Sequence, residues 1–380
     1  MTTVRSLGQA LAPSSLVTSA AFAAFAAFAA LALFTLLAIV SPSAFSAPAF
    51  AAPRPPGYPN ASHFGSVPDR HTFWYRQCMR VEPRQPHSSD LQRGHSDCQA
   101  GDASASDLYY DKLNQASTSQ REWDQVRYCA MASNDTAVLM MLHANGLGVP
   151  RDIDLAIRFA CSGAAAPAEM EGRVEHLVTL QDDPRRFDQC DDITSGAMGG
   201  VCAAIGQRQA GKVRTAFLAR LRAGLTAPQQ APFDALVKAS GGFADVRGSN
   251  EVDMTGTARI QMAIDAEGRE LEWLREHLAA FEKGLFTLPA PGRFSLADAE
   301  LNRAYARVMG VAETAPGHPG QLPHSSVDKA GVRTAQRAWL AYRDAWVRFA
   351  ALRYPALDPA SLKAALTQWR HKQLAALAPE

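Results

Sequence analysis

From residue 107 onward the apolar residues recur at intervals of three and four, the period of a helix that buries one face. Four such stretches, 107–116, 121–132, 135–145 and 152–165, are joined by short turns, which is the alternation of a helical-hairpin repeat. In Gly146-Leu147-Gly148-Val149-Pro150-Arg151-Asp152 a glycine supplies the left-handed residue that ends one helix, and Asp152 can cap the next. Farther on, Val213, Phe217, Leu218 and Leu221 share one helical face. Phe233, Leu236, Val237, Phe243 and Val246 form another after a turn at Pro228. A helix is expected over 257–283, with Ile260, Ile264, Leu271, Leu274, Leu278 and Phe281 apolar and Gly284 closing it.

The linker 285–294 separates this region from a last unit, 295–378. There Leu301, Tyr305 and Val308 align on one helix, and Leu362, Leu366, Trp369 and Leu374 on another. Between them Val332, Ala335, Trp339, Tyr342, Trp346 and Phe349 recur at alternating spacings of three and four, so this helix should lie along a neighbour. The reading is an all-α protein: a helical-hairpin repeat cap, then one or two antiparallel helical bundles.

Residues 19–40 carry no charge, follow Arg5, and precede Ala49-Phe50-Ala51, small residues that suit a signal peptidase. Residues 1–51 therefore read as an export signal, with an uncleaved membrane anchor as the other reading, since about 20 apolar residues span a bilayer. The Pro-rich segment 52–70 reads as a flexible tether, and 71–81 as a helical or extended piece pinned by Cys78 within the segment 52–106.

Export changes how the cysteines are read. Cys78, Cys98, Cys129, Cys161, Cys190 and Cys202 all follow the signal, and an even count in an oxidising compartment implies a disulfide framework. The pairs expected are Cys129 with Cys161, Cys190 with Cys202 and Cys78 with Cys98. No closely spaced Cys or His set suits structural zinc.

Composition narrows the function classes. A hydrophobic share of 47% with 20% charged is that of an ordinary globular protein, and 38 basic against 37 acidic residues, a net +1, give no overall field for nucleic acid. Gly206 to Lys212 imitates a phosphate loop, but Val213 stands where Ser or Thr must hold magnesium. No nucleophile turn or metalloprotease motif occurs, so no enzyme, cofactor or metal is expected. Glu251 and Asp253, beside Thr255-Gly256-Thr257, read as the cap of the following helix.

Two resemblances add to this. Ala137, Leu139, Asn145 to Val149, Asp152, Ala156 and Ala164-Ala165 resemble a SEL-type repeat, a relative of the tetratricopeptide family, over the region 107–180. Leu301-Asn302 with Tyr305, the string Ala335-Gln336-Arg337-Ala338-Trp339 followed by Tyr342-Arg343-Asp344, and Thr367 with Arg370 and Leu374 resemble the LprI-type lysozyme inhibitors. Trp346 stands near where members of that family usually carry a cysteine. Cys190, Thr194, Met198 and Cys202-Ala203 resemble the opening of the same domain, so 187–284 reads as a divergent second copy, or as part of one enlarged domain.

The resemblance implies an exported helical protein that binds and blocks a lysozyme. A rigid scaffold with a protruding polar group would meet the enzyme's catalytic carboxylates. The loop 310–331, with His318, His324, Ser325, Ser326 and Lys329, is the candidate projection. From 328 to 372 nine basic residues face three acidic ones, an excess of about six. That face would slow encounter with a basic lysozyme and would suit an anionic envelope surface. Arg343 is expected to span to a neighbouring helix, and Asp344 to pair with Arg348. The competing reading is a periplasmic scaffold that uses an apolar groove between 107 and 165. The sequence leaves the oligomeric state open.

Overall fold

The computed structural model describes residues 57–61, 69–86, 104–312 and 320–378. The export signal, Cys98 and His318 lie outside them. Among the described residues there are twelve helices and no strand, as the periodicity requires. They are α1 Phe73–Val81, α2 Ala105–Leu113, α3 Gln120–Ala132, α4 Thr136–Asn145, α5 Ile153–Ser162, α6 Pro167–Thr179, α7 Gly196–Ala223, α8 Ala227–Asn250, α9 Arg259–Glu282, α10 Arg293–Gly310, α11 Lys329–Arg353 and α12 Pro359–Leu377.

Local chemistry sets the boundaries. Ser104 with Asp107 and Ser119 with Glu122 make reciprocal capping boxes on α2 and α3, satisfying amides that have no intrahelical partner. Asp135 and Asp152 accept from the Val138 and Leu155 amides to start α4 and α5. Gly146 closes α4 at φ 65° and Gly148 follows at φ 70°; a Cβ on Gly148 would lie 2.4 Å from the Trp123 Cβ, so both the backbone and the space select glycine there.

Helices α1 to α6 form the first core. α4 is apolar on every side and is buried from Val138 to Ala144 because α3 and α5 flank it. The disulfides correct two expected pairings: Cys78 bonds Cys161 across 83 residues, joining α1 to α5, so Cys161 does not bond Cys129 and Cys78 does not bond Cys98. Cys129 is disulfide-bonded as well. Cys190–Cys202 forms as expected, tying the loop before α7 to its second turn. Residues 57–61 are not a tether. The Asn60 amide donates to the Cys161 carbonyl at 2.8 Å, the Tyr58 hydroxyl donates to the Cys78 carbonyl at 2.9 Å, and Ala61 is fully buried beside that disulfide.

The second core joins residues from Leu225 to Leu374. α8 lies along α11, α7 packs on α9 and α10 on α12, while α9 also touches α8 and α12 touches α11. All six residues of the α11 seam are buried, with Val332, Ala335, Trp346 and Phe349 wholly so. Pro228 lies in the first turn of α8 rather than in the preceding turn, a position where its missing N–H costs nothing. Two expected core positions face water: Val213 is 62% exposed and Ile260 49%. Trp346 donates from Nε1 to the Tyr342 hydroxyl at 2.9 Å and packs on Phe281.

Candidate functional site

The family-like residues divide into two sets. Leu301, Asn302 and Tyr305 from α10, with Gln336, Trp339 and Arg343 from α11, line one solvent-open cleft of about 280 Å³ between the two helices. They meet because positions one, two and five of one helix and one, four and eight of the other recur on one face each. Leu301 and Trp339 are buried in its floor, and Tyr305, Gln336 and Arg343 are half-buried in its walls. The Arg343 guanidinium lies over the Trp339 ring, 5.2 Å from its centre, and donates to Asp344 at 3.1 Å. It therefore does not span to another helix, and Asp344 pairs with Arg343 rather than with Arg348.

Four more residues line the cleft: Arg337, which lies within the motif string, and Asp298, Arg333 and Leu340, which lie outside it. Helical spacing could have found Asp298, Arg333 and Leu340, since each stands three or four residues from a motif position on the same face. The acid is engaged by Asn302, whose Nδ2 donates to it at 3.1 Å. Arg337 is exposed and has no ion-pair partner among the described residues. The cleft is thus cationic at its rim, with an aromatic floor.

The second set is structural. Arg370 is completely buried; its two terminal nitrogens donate to the Glu251 carboxylate at 2.7 and 2.5 Å, and its Nε donates to Gln336 at 2.9 Å. Glu270 continues the network, accepting from Gln373 at 2.7 Å and pairing with Arg247 at 3.2 Å. Burial pushes the Glu270 carboxyl up and the Arg247 guanidinium down, both toward their neutral forms. Glu251 therefore ends α8 and does not cap the helix that follows. Tyr342 is buried with its ring stacked on Phe243, and burial raises its hydroxyl well above the ordinary range.

The loop before α11 is folded back on the body. Leu322 donates to the Val327 carbonyl at 2.8 Å, and both side chains are buried. The Ser326 amide and hydroxyl both donate to Asp253 at 3.0 Å, and the Lys329 ammonium donates to the Val311 carbonyl at 2.7 Å. Asp253 thus clamps two loops instead of capping α9, which starts from Ala258 without a side-chain cap. Ser325 accepts from the Val327 amide, and His324 stands exposed at the apex with φ 54°.

With that geometry in place, comparison with known families decides one point. Residues 290–374 match the family model described as Lysozyme inhibitor LprI. The LprI segment holds α10, α11 and most of α12, and so the whole cleft, in less than a quarter of the chain. The name is that of an inhibitor acting on a protein, not of a catalyst. No curated protein and no solved structure matches the chain.

Other candidate features are quieter. Among the described residues no group of three or more His, Cys, Asp or Glu could hold a metal ion, and no helix is long and apolar enough to cross a membrane. Between 107 and 165 no large apolar side chain is exposed.

Proposed function

We propose that this chain is an exported envelope protein that binds a protein partner through the α10–α11 cleft, and that the partner is a lysozyme. One observation carries the reading: six family-motif side chains meet in one open cleft whose rim holds Arg333, Arg337 and Arg343. A glycan-cleaving enzyme presents two carboxylates in its cleft, and exposed guanidinium groups on a rigid helix are suited to meet them. In this reading the loop apex, His324 and Ser325, is a further contact for the partner, while Ser326 and Lys329 hold that loop in place. Export is supported by the apolar segment 19–40 with its small-residue site, and by Cys78–Cys161 and Cys190–Cys202, since disulfides persist in oxidising compartments.

Two finer readings accompany it. The segment α7–α9 is a divergent second copy of α10–α12, supported by the matching partners: first helix on third in each half, with the two middle helices α8 and α11 back to back. The α4–α5 hairpin, with left-handed Gly146 and the Asp152 cap, supports a SEL-type repeat that serves as a rigid cap.

The test is lysis of peptidoglycan by a panel of lysozymes with the oxidised protein present. Dose-dependent inhibition is expected, and Arg337→Glu should weaken it about tenfold or more without lowering Tm. Inhibition untouched by that change would remove the cleft from the account. No inhibition by the unaltered protein against any enzyme of the panel would remove the lysozyme.

A further inference from the structure

We propose that the N-terminal helical unit carries a second, independent binding site, a pocket for a small carboxylate with a short apolar tail. The site is a cavity of about 240 Å³ bounded by the first turns of α2, α4 and α7, the end of α5, and Arg173 of α6. Two of its lining groups, Arg173 Nε and Ser106 Oγ, are buried and have no hydrogen-bond partner. Buried polar atoms nearly always find partners, so two orphans in one cavity point to an acceptor supplied from outside the chain.

The surroundings say what that acceptor is. The Arg173 side chain is only 7% exposed, and its Nη2 donates to Glu169 at 2.9 Å. The second oxygen of Glu169 is taken by the Thr194 and Ser195 amides and by the Ser195 hydroxyl. Glu169 therefore fixes the guanidinium in orientation while its own charge is spread over four donors. Asp135, the carboxylate in the lining, is engaged by the Val138 amide as the α4 cap. Helix N-termini carry a partial positive charge, and α2 and α4 both present their first turns here, through Ser106 and Thr136. The remaining walls, chiefly Met140, Phe159, Met198 and Val201, are apolar. Val201 is 47% exposed and forms part of the rim.

A buried guanidinium with a free edge pairs best with a carboxylate. The volume lies below the ~300–1,000 Å³ usual for larger ligands, so the acid is small. The apolar walls then call for a tail of a few carbons.

The probe is hexanoate, with the uncharged hexanamide as its control, titrated into the full oxidised protein by calorimetry and followed by Tm. Saturable binding of hexanoate and a rise in Tm are expected, with hexanamide at least about tenfold weaker. Because loss of Arg173 would strand buried Glu169 and could unfold the unit, the variants are Val201→Trp, which blocks the rim, and Ser106→Val, which removes one orphan and fills space. Each should weaken hexanoate about tenfold while the ligand-free Tm stays in place. Equal binding of acid and amide, no saturable binding of hexanoate, or hexanoate binding unchanged in both variants would overturn the proposal.

Discussion

Removing Arg370 should be the costliest single change in the second core. Its guanidinium is fully buried and makes four hydrogen bonds, two to Glu251, one to Gln336 and one to Gln373. Arg370→Leu keeps the bulk but leaves Glu251, 2% exposed at its side chain, with Arg247 as its nearest cation at 3.9 Å. Breaking a buried pair from one side costs about 3–5 kcal/mol, because the remaining charge loses its partner and cannot regain water. At about 2–4 °C per kcal/mol for a chain of this order, Tm should fall by roughly 6–20 °C. The double variant Arg370→Leu/Glu251→Leu removes both charges and keeps the Arg247–Glu270 pair at 3.2 Å. It should recover at least half of the loss, so the coupling in the cycle should exceed about 1.5–2.5 kcal/mol. The measurement is urea unfolding of the four proteins of the cycle at one pH, with near-ultraviolet circular dichroism confirming native packing. A loss below about 1 kcal/mol in the single variant, or a double variant as unstable as the sum of the singles, would show that the pair does not hold the bundle.

Three further outcomes follow from the structure. Asp253 is held down at about 2, chiefly by the Ser326 amide, so its support for the loop contact is complete above the ordinary carboxylate value near 3.8 and is lost as pH falls through 2; the Ser326 amide resonance should titrate with that low midpoint, and a midpoint near 4 would disprove the clamp. Replacing Cys78 and Cys161 with serine should destabilise more than replacing Cys190 and Cys202, about 4.5 against about 3 kcal/mol by loop-closure entropy over 83 and 12 residues; denaturant titrations giving the reverse order would reject that account. Association with a basic lysozyme should become faster as salt rises from low levels, because screening weakens the repulsion from the exposed Arg333 and Arg337 at the cleft rim; stopped-flow rates that fall with salt would mean that attraction governs the encounter.

Periodicity made the helices legible, and on α11 all six seam residues that it marked are buried, because α8, α9 and α12 together cover that face. It failed at two positions. Val213 continues the stripe of α7 and Ile260 that of α9, yet both face water. Helix α6 went unrecognised although Pro167 at its start and Glu169 in its first turn are ordinary opening signals. The motif residues were legible as a set, but their division was not. Arg370 and Glu251 stand 119 residues apart, and no local pattern says that they meet. Asp253 looked like a cap because caps are local, whereas Ser326, which claims it, lies 73 residues away. The short disulfide Cys190–Cys202 could be read from spacing; Cys78–Cys161 depends on how α1 returns to α5.

The back-to-back packing of α8 and α11 sets a limit on dissection. Cutting the chain at residue 290 to isolate the segment that names the family would strip Phe243 from the ring of Tyr342 and Glu251 from Arg370. The excised piece would carry an uncompensated guanidinium and a bared aromatic face, the surface of a molecule prone to clump rather than to bind. A silent fragment in an inhibition assay would therefore report on the knife, and any truncation meant to map the cleft should keep α7 through α12 whole.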